Sequence, residues 1–302
     1  MIRLALISKT ETAEAYGILS TRLHRAAWVA YASVDCGDSG KALGQVIETD
    51  TADALFADKA NAFDAVVIDA DQSSTERLAK TASSLGKPVL FRACSPGRLG
   101  QKKTLMMPSH PWRFMPSIQS VKHSLEAGKL GQAGLMRIHR WLPTYKTGIS
   151  NAEPIMPDAD LACWMFGDAP ETVWSLQSAA NPDYIQFHLG FANEGMAMID
   201  IAGSLPSGSD YFSMTMIGGT GAAYADDHHN MNLLYNGGHP NALRTSQGKV
   251  YLIRELQEFV DAIIEKRKPS VTPADTAMAV EVVKRIVDSA ESRQVIGRKE
   301  AN

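Results

Sequence analysis

The sequence predicts an α/β protein. An N-terminal doubly wound parallel sheet is followed by an α+β domain built on a large, mostly antiparallel sheet. Three observations predict this. Short apolar runs alternate with helix-like segments over the first part of the chain, which is the β-α-β-α-β order of a parallel sheet. Beyond Leu135 the patterning changes to period two with Gly and Asn turns, as in antiparallel strands with one face covered. Two amphipathic segments close the chain. The 302 residues suffice for two domains. We place them at 1–116 and 117–302, with the last helices packing back.

The first strand contains Leu4, Leu6 and Ile7 and ends in a polar turn, after which helix formers run to Leu19 and Leu23. A buried strand passes in this way to the first helix of a Rossmann-like, nucleotide-binding domain. There the turn carries G-x-G-x-x-G, whose glycines let the backbone touch a pyrophosphate at the helix N-terminus. Here the three positions are Ser8, Thr10 and Ala13. Only Ala13 still permits close helix–strand packing. Glu11 and Glu14 suit the helix dipole but repel a dinucleotide. The scaffold is that of a dinucleotide-binding domain whose first contact with a dinucleotide is dismantled.

Trp28 to Ser33 forms the second strand. In such folds an acid at its end accepts from ribose hydroxyls. The aligned position is Ser33, with Asp35 two residues on; Asp35 is either that acid on a shifted loop or a turn acid. A short helix over Ala52–Phe56 follows a cap of Thr49, Asp50 and Thr51. Asp64–Ile68 is a central strand. Asp71–Thr75 opens a helix with Leu78 and Leu85 as apolar contacts, and Val89–Phe91 is the next strand. A helix is due between Arg92 and Thr104, but two glycines and a proline there argue for a loop. Leu105–Met107 resumes a strand. A helix from Ser117 to Ala127 is stopped by Gly128. Alternating strands follow over Leu135–Trp141, Gln186–Phe191, Met196–Ile201 and Tyr211–Ile217, with Met196, Met198, Met214 and Met216 read as one apolar stripe. Tyr251–Glu265 is an amphipathic helix. Thr272-Pro-Ala-Asp275 caps the last one, with proline at N1 and an acid at N3.

A net charge of −3 gives no reason to expect nucleic acid or an anionic membrane as partner. No apolar run has the length of a membrane span, and the residues after Met1 lack the basic-then-apolar-then-small pattern expected of a signal peptide. Cys36, Cys94 and Cys163 form no C-x-x-C pair, which points to a reduced, cytoplasmic protein with structural thiols.

Several segments together carry a resemblance to the Gfo/Idh/MocA oxidoreductases. Trp112-Arg-Phe-Met-Pro116 and Gly128-Lys-Leu-Gly131 resemble that family's Arg-Phe-x-Pro strand end and its Gly-Lys-Leu-Gly turn. Asp158–Gly167 is similar to its post-catalytic helix, Gly218-Gly-Thr-Gly221 to its sheet-domain turn, and Thr272–Thr276 to its final-helix start. The resemblance implies a Rossmann domain joined to an open-faced sheet domain, with a pocket between them. It implies hydride transfer between NAD(P) and a sugar, cyclitol or related alcohol. It also implies pairing of copies through the open sheet face. The family's Glu-Lys-Pro motif falls on Arg92, Ala93 and Cys94, and its catalytic Asp-x-x-x-His pair on Glu153 and Pro157. Alanine and proline have no titratable side chain to handle the hydroxyl proton.

Glu153, Lys146 and His110 are the remaining catalytic candidates. Arg92, Arg113, Arg140 and Tyr145 are the candidates for substrate binding. Ser8, Thr10, Ala13 and Asp35 hold the cofactor positions in degenerate form. Asp226-Asp-His-His229 has metal-ligand chemistry, but neighbouring strand residues point to opposite faces, so no metal is expected. The expectation is a relative impaired or inactive in hydride transfer. It keeps a sugar- or cyclitol-type cleft or acts as a partner subunit, forms homo-oligomers through the C-terminal sheet, and has no expected cofactor. The alternatives are an active oxidoreductase using NAD or NADP through a non-standard phosphate loop, and a cofactor-independent lyase or hydrolase. The sequence leaves open whether the chain is an enzyme.

Overall fold

The computed structural model describes residues 1–35, 40–93, 104–143, 152–205, 211–226, 231–234, 241–244 and 250–298. The first elements in chain order are β1 (Ile2–Ser8), α1 (Thr10–Leu19), β2 (Ala26–Ser33), β3 (Ile47–Thr49), α2 (Ala52–Lys59), β4 (Ala65–Asp69), α3 (Gln72–Ser84), β5 (Val89–Arg92) and β6 (Met106–Ser109). Next come α4 (Pro116–Glu126), β7 (Ala133–Pro143), α5 (Ala152–Phe166), β8 (Thr172–Gln177), β9 (Tyr184–Gly190), β10 (Met196–Leu205), β11 (Tyr211–Gly218) and β12 (Ala222–Asp226). The hairpin strands β13 (Met231–Leu234) and β14 (Asn241–Arg244), then α6 (Val250–Glu265), α7 (Pro273–Ser292) and β15 (Ile296–Gly297), complete the order. The chain divides into two compact units, Met1–Phe114 with Lys249–Ala277, and Met115–Gly248 with Met278–Asn302.

In the first unit six parallel strands are ordered β3-β2-β1-β4-β5-β6. Alternation along β1 sends Leu4 and Leu6 to one face and Ala5 and Ile7 to the other, and all four are fully buried. Leu4, Leu6 and Ile7 each contribute about 1.5–3 kcal/mol. The Leu4/Leu6 face is closed by Ala13 and Tyr16 of α1 and by Leu256, Phe259 and Val260 of α6. The opposite face is closed by Leu55 and Phe56 of α2 and Leu78 of α3. Thus α6, more than 130 residues beyond β6, supplies an apolar layer of this sheet. Thr51 caps α2 by accepting from the Ala54 N–H at 3.1 Å, and Asp71 caps α3 through Ser74 at 3.1 Å. Leu85 is not a core contact of α3. It stands past the last turn and is 44% exposed. The expected loop after Arg92 falls largely outside the described residues.

The second unit carries a seven-stranded mixed sheet, β12-β11-β7-β10-β9-β8-β15, in which only β7 and β10 run parallel. One face is covered. Met136, Ile138, Ile199, Phe187 and Val173 on it are buried, and Ser175 bonds Ser289 and the Ile286 carbonyl of α7. The other face presents Trp141, Leu176, Tyr184, Met196, Ile217 and Tyr224, each at least 40% exposed. The four methionines do not form one stripe. Met196 and Met198 lie on the exposed face, whereas Met214 and Met216 are buried on the covered face. The reason is register: β7 lies between their strands, with Met198 opposite Arg137 and Met214 opposite Ile138, residues of opposite parity.

The two glycine turns of this unit interlock. Gly219 N–H donates to the Gln132 carbonyl at 3.0 Å and Thr220 N–H to the Leu130 carbonyl at 3.0 Å. A Cβ on Gly218 would sit 2.1 Å from the Leu130 oxygen, so only glycine allows this approach. Gly131 has φ +70° and packs under Thr220.

Candidate functional site

In an open parallel sheet, ligands are received beyond the carboxyl ends of the strands where strand order reverses. Here that point lies between β1 and β4, which place Ser8 and Asp69 side by side in register. α1 leaves β1 at this point. Its N-cap residue is Lys9, which is extended and supplies no side-chain acceptor.

The acceptor is Asp35, two residues beyond the end of β2. The Thr10 N–H is shared between the two carboxylate oxygens of Asp35 at 3.3 and 3.2 Å, and the Thr10 hydroxyl donates to Oδ1 at 3.1 Å. The Ser33 hydroxyl donates to the same Oδ1 at 2.7 Å. Ser8 is fully buried and its hydroxyl donates to the Lys9 carbonyl. Thr12 donates to Asp69 Oδ2 at 2.7 Å, and Arg92 approaches Asp69 at 3.8 Å. Ala13 is fully buried, keeping the close helix–strand contact that position requires. Of the four cofactor positions, Thr10 and Asp35 are in contact, whereas Ser8 bonds its neighbour Lys9 and Ala13 packs in the core. This donor set does not fit a diphosphate. The glycines are absent, the leading N–H of α1 is engaged by an anion, and Glu11 and Glu14 are exposed on the same helix.

The proton-handling positions are spread through the chain. Ala93 follows β5 and is half-buried. Glu153 and Pro157 both lie within α5, where Pro157 offers no N–H to the carbonyl four residues back. The side chain of Glu153 lies outside the described residues, as do Lys146 and Tyr145 and the residues between Asp226 and Met231. His110 is 4% exposed in the first unit. Its Nε2 is 2.7 Å from the Thr276 hydroxyl, and its backbone N–H donates to Glu255 Oε1 at 2.7 Å. Ser109 donates to the other oxygen of that fully buried glutamate at 2.9 Å.

Of the arginines singled out for substrate binding, the two buried ones, Arg113 and Arg140, are held by the protein's own acids. In the first unit Arg113 pairs with Asp275 at 3.1 Å. In the second, Arg140 pairs closely with Asp158 and donates to the Pro154 carbonyl at 2.9 Å, bracing the start of α5. Burial pushes the Asp158 carboxyl up to about 6, against the pull of Arg140. Sequence reasoning did not single out Asp158 or Glu255. The available signal was an acid set among apolar helix residues, which needs a buried partner. A cavity of about 530 Å³ lined by Thr104, Leu105, Lys266, Lys268 and Thr272 lies at the amino end of β6, the opposite edge from the β1–β4 crevice.

A doubly wound parallel unit and an open-faced mixed-sheet unit in one chain define a two-unit α/β protein. Residues 158–297 match the model described as the oxidoreductase family, C-terminal alpha/beta domain, of Gfo/Idh/MocA proteins. This match covers the C-terminal part of the chain and shows that family's C-terminal domain there. No curated protein sequence matches it. The fold is shared with a myo-inositol dehydrogenase from Corynebacterium glutamicum, with TM-score 0.86 and 16% identity over 100% of both chains. It is shared with myo-inositol dehydrogenase from Lactobacillus casei in complex with NAD(H) and myo-inositol, with TM-score 0.82 and 16% identity over 100% of this chain and 98% of that one. It is shared too with scyllo-inositol dehydrogenase from the same organism with bound NAD(H) and scyllo-inositol, with TM-score 0.80 and 17% identity over 98% and 99%. At these identities the likeness establishes the fold. Among the described residues no helix is long and apolar enough to cross a membrane.

Proposed function

We propose that this chain is a Gfo/Idh/MocA-type protein that has left NAD(P)-dependent hydride transfer and binds a sugar- or cyclitol-type ligand as a homo-oligomer. The observation that carries this reading is the β1–α1 elbow, where Ser8 and Thr10 replace the glycines and Asp35 engages the leading N–H of α1. Support comes from the second chemical requirement. Alcohol oxidation needs a group to take the hydroxyl proton, and Ala93 and Pro157 supply none at the positions the family uses. The cyclitol class is favoured by the inositol bound in structures of the same fold. The exposed sheet face with Trp141, Met196 and Ile217 is the surface a second copy would bury.

The test is calorimetry of the purified chain with NADH, NADPH and myo-inositol, run beside a polyol oxidation assay followed by nicotinamide absorbance. The reading expects no saturable dinucleotide binding and no turnover. Micromolar binding of either dinucleotide, or oxidation of a polyol, would sink it. A second reading, an active oxidoreductase with a non-standard phosphate loop, is favoured by the NAD(H) held in those same structures. It expects that opposite result.

A further inference from the structure

We infer that Asp35 determines which ligands the β1–α1 elbow admits: its carboxylate is a built-in occupant of the anion position at the start of α1 and restricts the elbow to ligands without a phosphate. This deepens the reading above and rests on it in part. The first N–H groups of a helix have no partner within the helix, and the positive end of the dipole lies there. A nucleotide-binding elbow offers those donors to phosphate. In this chain Lys9 provides no cap, and the acceptor arrives from a residue 25 positions away. Asp35 accepts from the Thr10 N–H and hydroxyl and from the Ser33 hydroxyl. Those oxygens are consequently turned to the helix end, where a ribose-binding acid would direct them to the ligand's hydroxyls. A phosphate approaching the same N–H meets a like charge at hydrogen-bond distance, with Glu11 and Glu14 on the same exposed turns. A neutral polyol meets no such repulsion. The ligand class therefore narrows to uncharged or cationic compounds.

Inorganic pyrophosphate is the probe, titrated by calorimetry into the full-length chain. The variants are Glu11→Gln/Glu14→Gln alone and the same pair with Asp35→Asn or Asp35→Ala. Asparagine keeps a neutral acceptor for Thr10, and circular dichroism melts establish that each variant is folded. The wild type and the double variant should bind no pyrophosphate. Either triple variant should bind it saturably, at least about tenfold tighter than the double variant, as expected when charge-assisted bonds to the helix end become available. Binding by the double variant, or none by the folded triple variants, overturns the role of Asp35 and leaves the proposed function standing. NADH carries a diphosphate, so its saturable binding by the wild type removes the proposed function and this inference together. Titration of myo-inositol into the wild type separates the two claims. No binding there, with pyrophosphate bound by the folded triple variants, removes the proposed function and leaves this inference standing.

Discussion

Arg140 and Asp158 meet on the covered side of the second unit's sheet with 4% and 1% of their side chains exposed. A strand thereby holds the first turns of α5 through a charge pair and a carbonyl contact at Pro154. Removing one partner strands the other charge. Arg140→Met should lower stability to urea by ~3–5 kcal/mol, whereas Arg140→Met with Asp158→Leu should recover most of the loss, because apolar replacement of a whole buried pair is often neutral. Equal losses in the single and double variants would show that the damage is packing and not charge.

The start of α7 is a second charged device, with a pH signature. Thr272 donates its N–H and hydroxyl to Asp275 at 2.8 and 2.6 Å, and Arg113 pairs with the same carboxyl. Burial alone would raise the Asp275 pKa, but the Thr272 bonds and the Arg113 charge outweigh it and hold the carboxyl below its ordinary value. A depressed folded pKa means the unfolded chain binds the proton first. The contribution is therefore full above about pH 4 and is lost as pH falls below that. Asp275→Asn should cost about 1–2 kcal/mol at neutral pH and flatten the acid limb of a stability–pH curve. An unchanged acid limb would mean Asp275 titrates alike in both states.

The interlocked glycine turns give a paired test. Gly218→Ala forces a methyl into the Leu130 carbonyl and should destabilise by about 1–3 kcal/mol. Gly219→Ala meets nothing nearer than 4.0 Å, and should stay within about 0.5 kcal/mol. Thermal melts of the two variants decide this; similar shifts would contradict the contact geometry.

The exposed sheet face makes a prediction about assembly. Trp141, whose ring is tilted against Tyr211 with centroids 4.5 Å apart, and Ile217 on the same face are 45% and 40% exposed. Trp141→Glu with Ile217→Glu should shift the chain toward monomer in sedimentation velocity, since burying two unpaired charges costs several kcal/mol per ion. An unaltered distribution at equal concentration would place any self-association on another surface.

Much of this architecture was legible from local chemistry. The β1 and β4 runs, the Thr51 and Asp71 caps and the Thr272–Asp275 start of α7 depend on neighbours a few residues apart, so the sequence displays them directly. The family resemblance rested on turns such as Gly128–Gly131 and Gly218–Gly221, where a close backbone approach requires glycine at 218 and a positive φ favours it at 128 and 131. The substitutions at Ser8, Thr10, Ala93 and Pro157 could also be read without coordinates, because they concern which functional groups exist at all.

What the amino-acid order did not display was pairing across long loops. Only the folded chain shows that α6 closes the face of the first sheet beside α1, that Met198 and Met214 lie on opposite faces, and that Asp35 turns back to Thr10 instead of outward. The physical reason is common to all three. A side chain's periodicity states that one face is apolar or one group charged, but partner and register follow from the summed packing of the whole sheet.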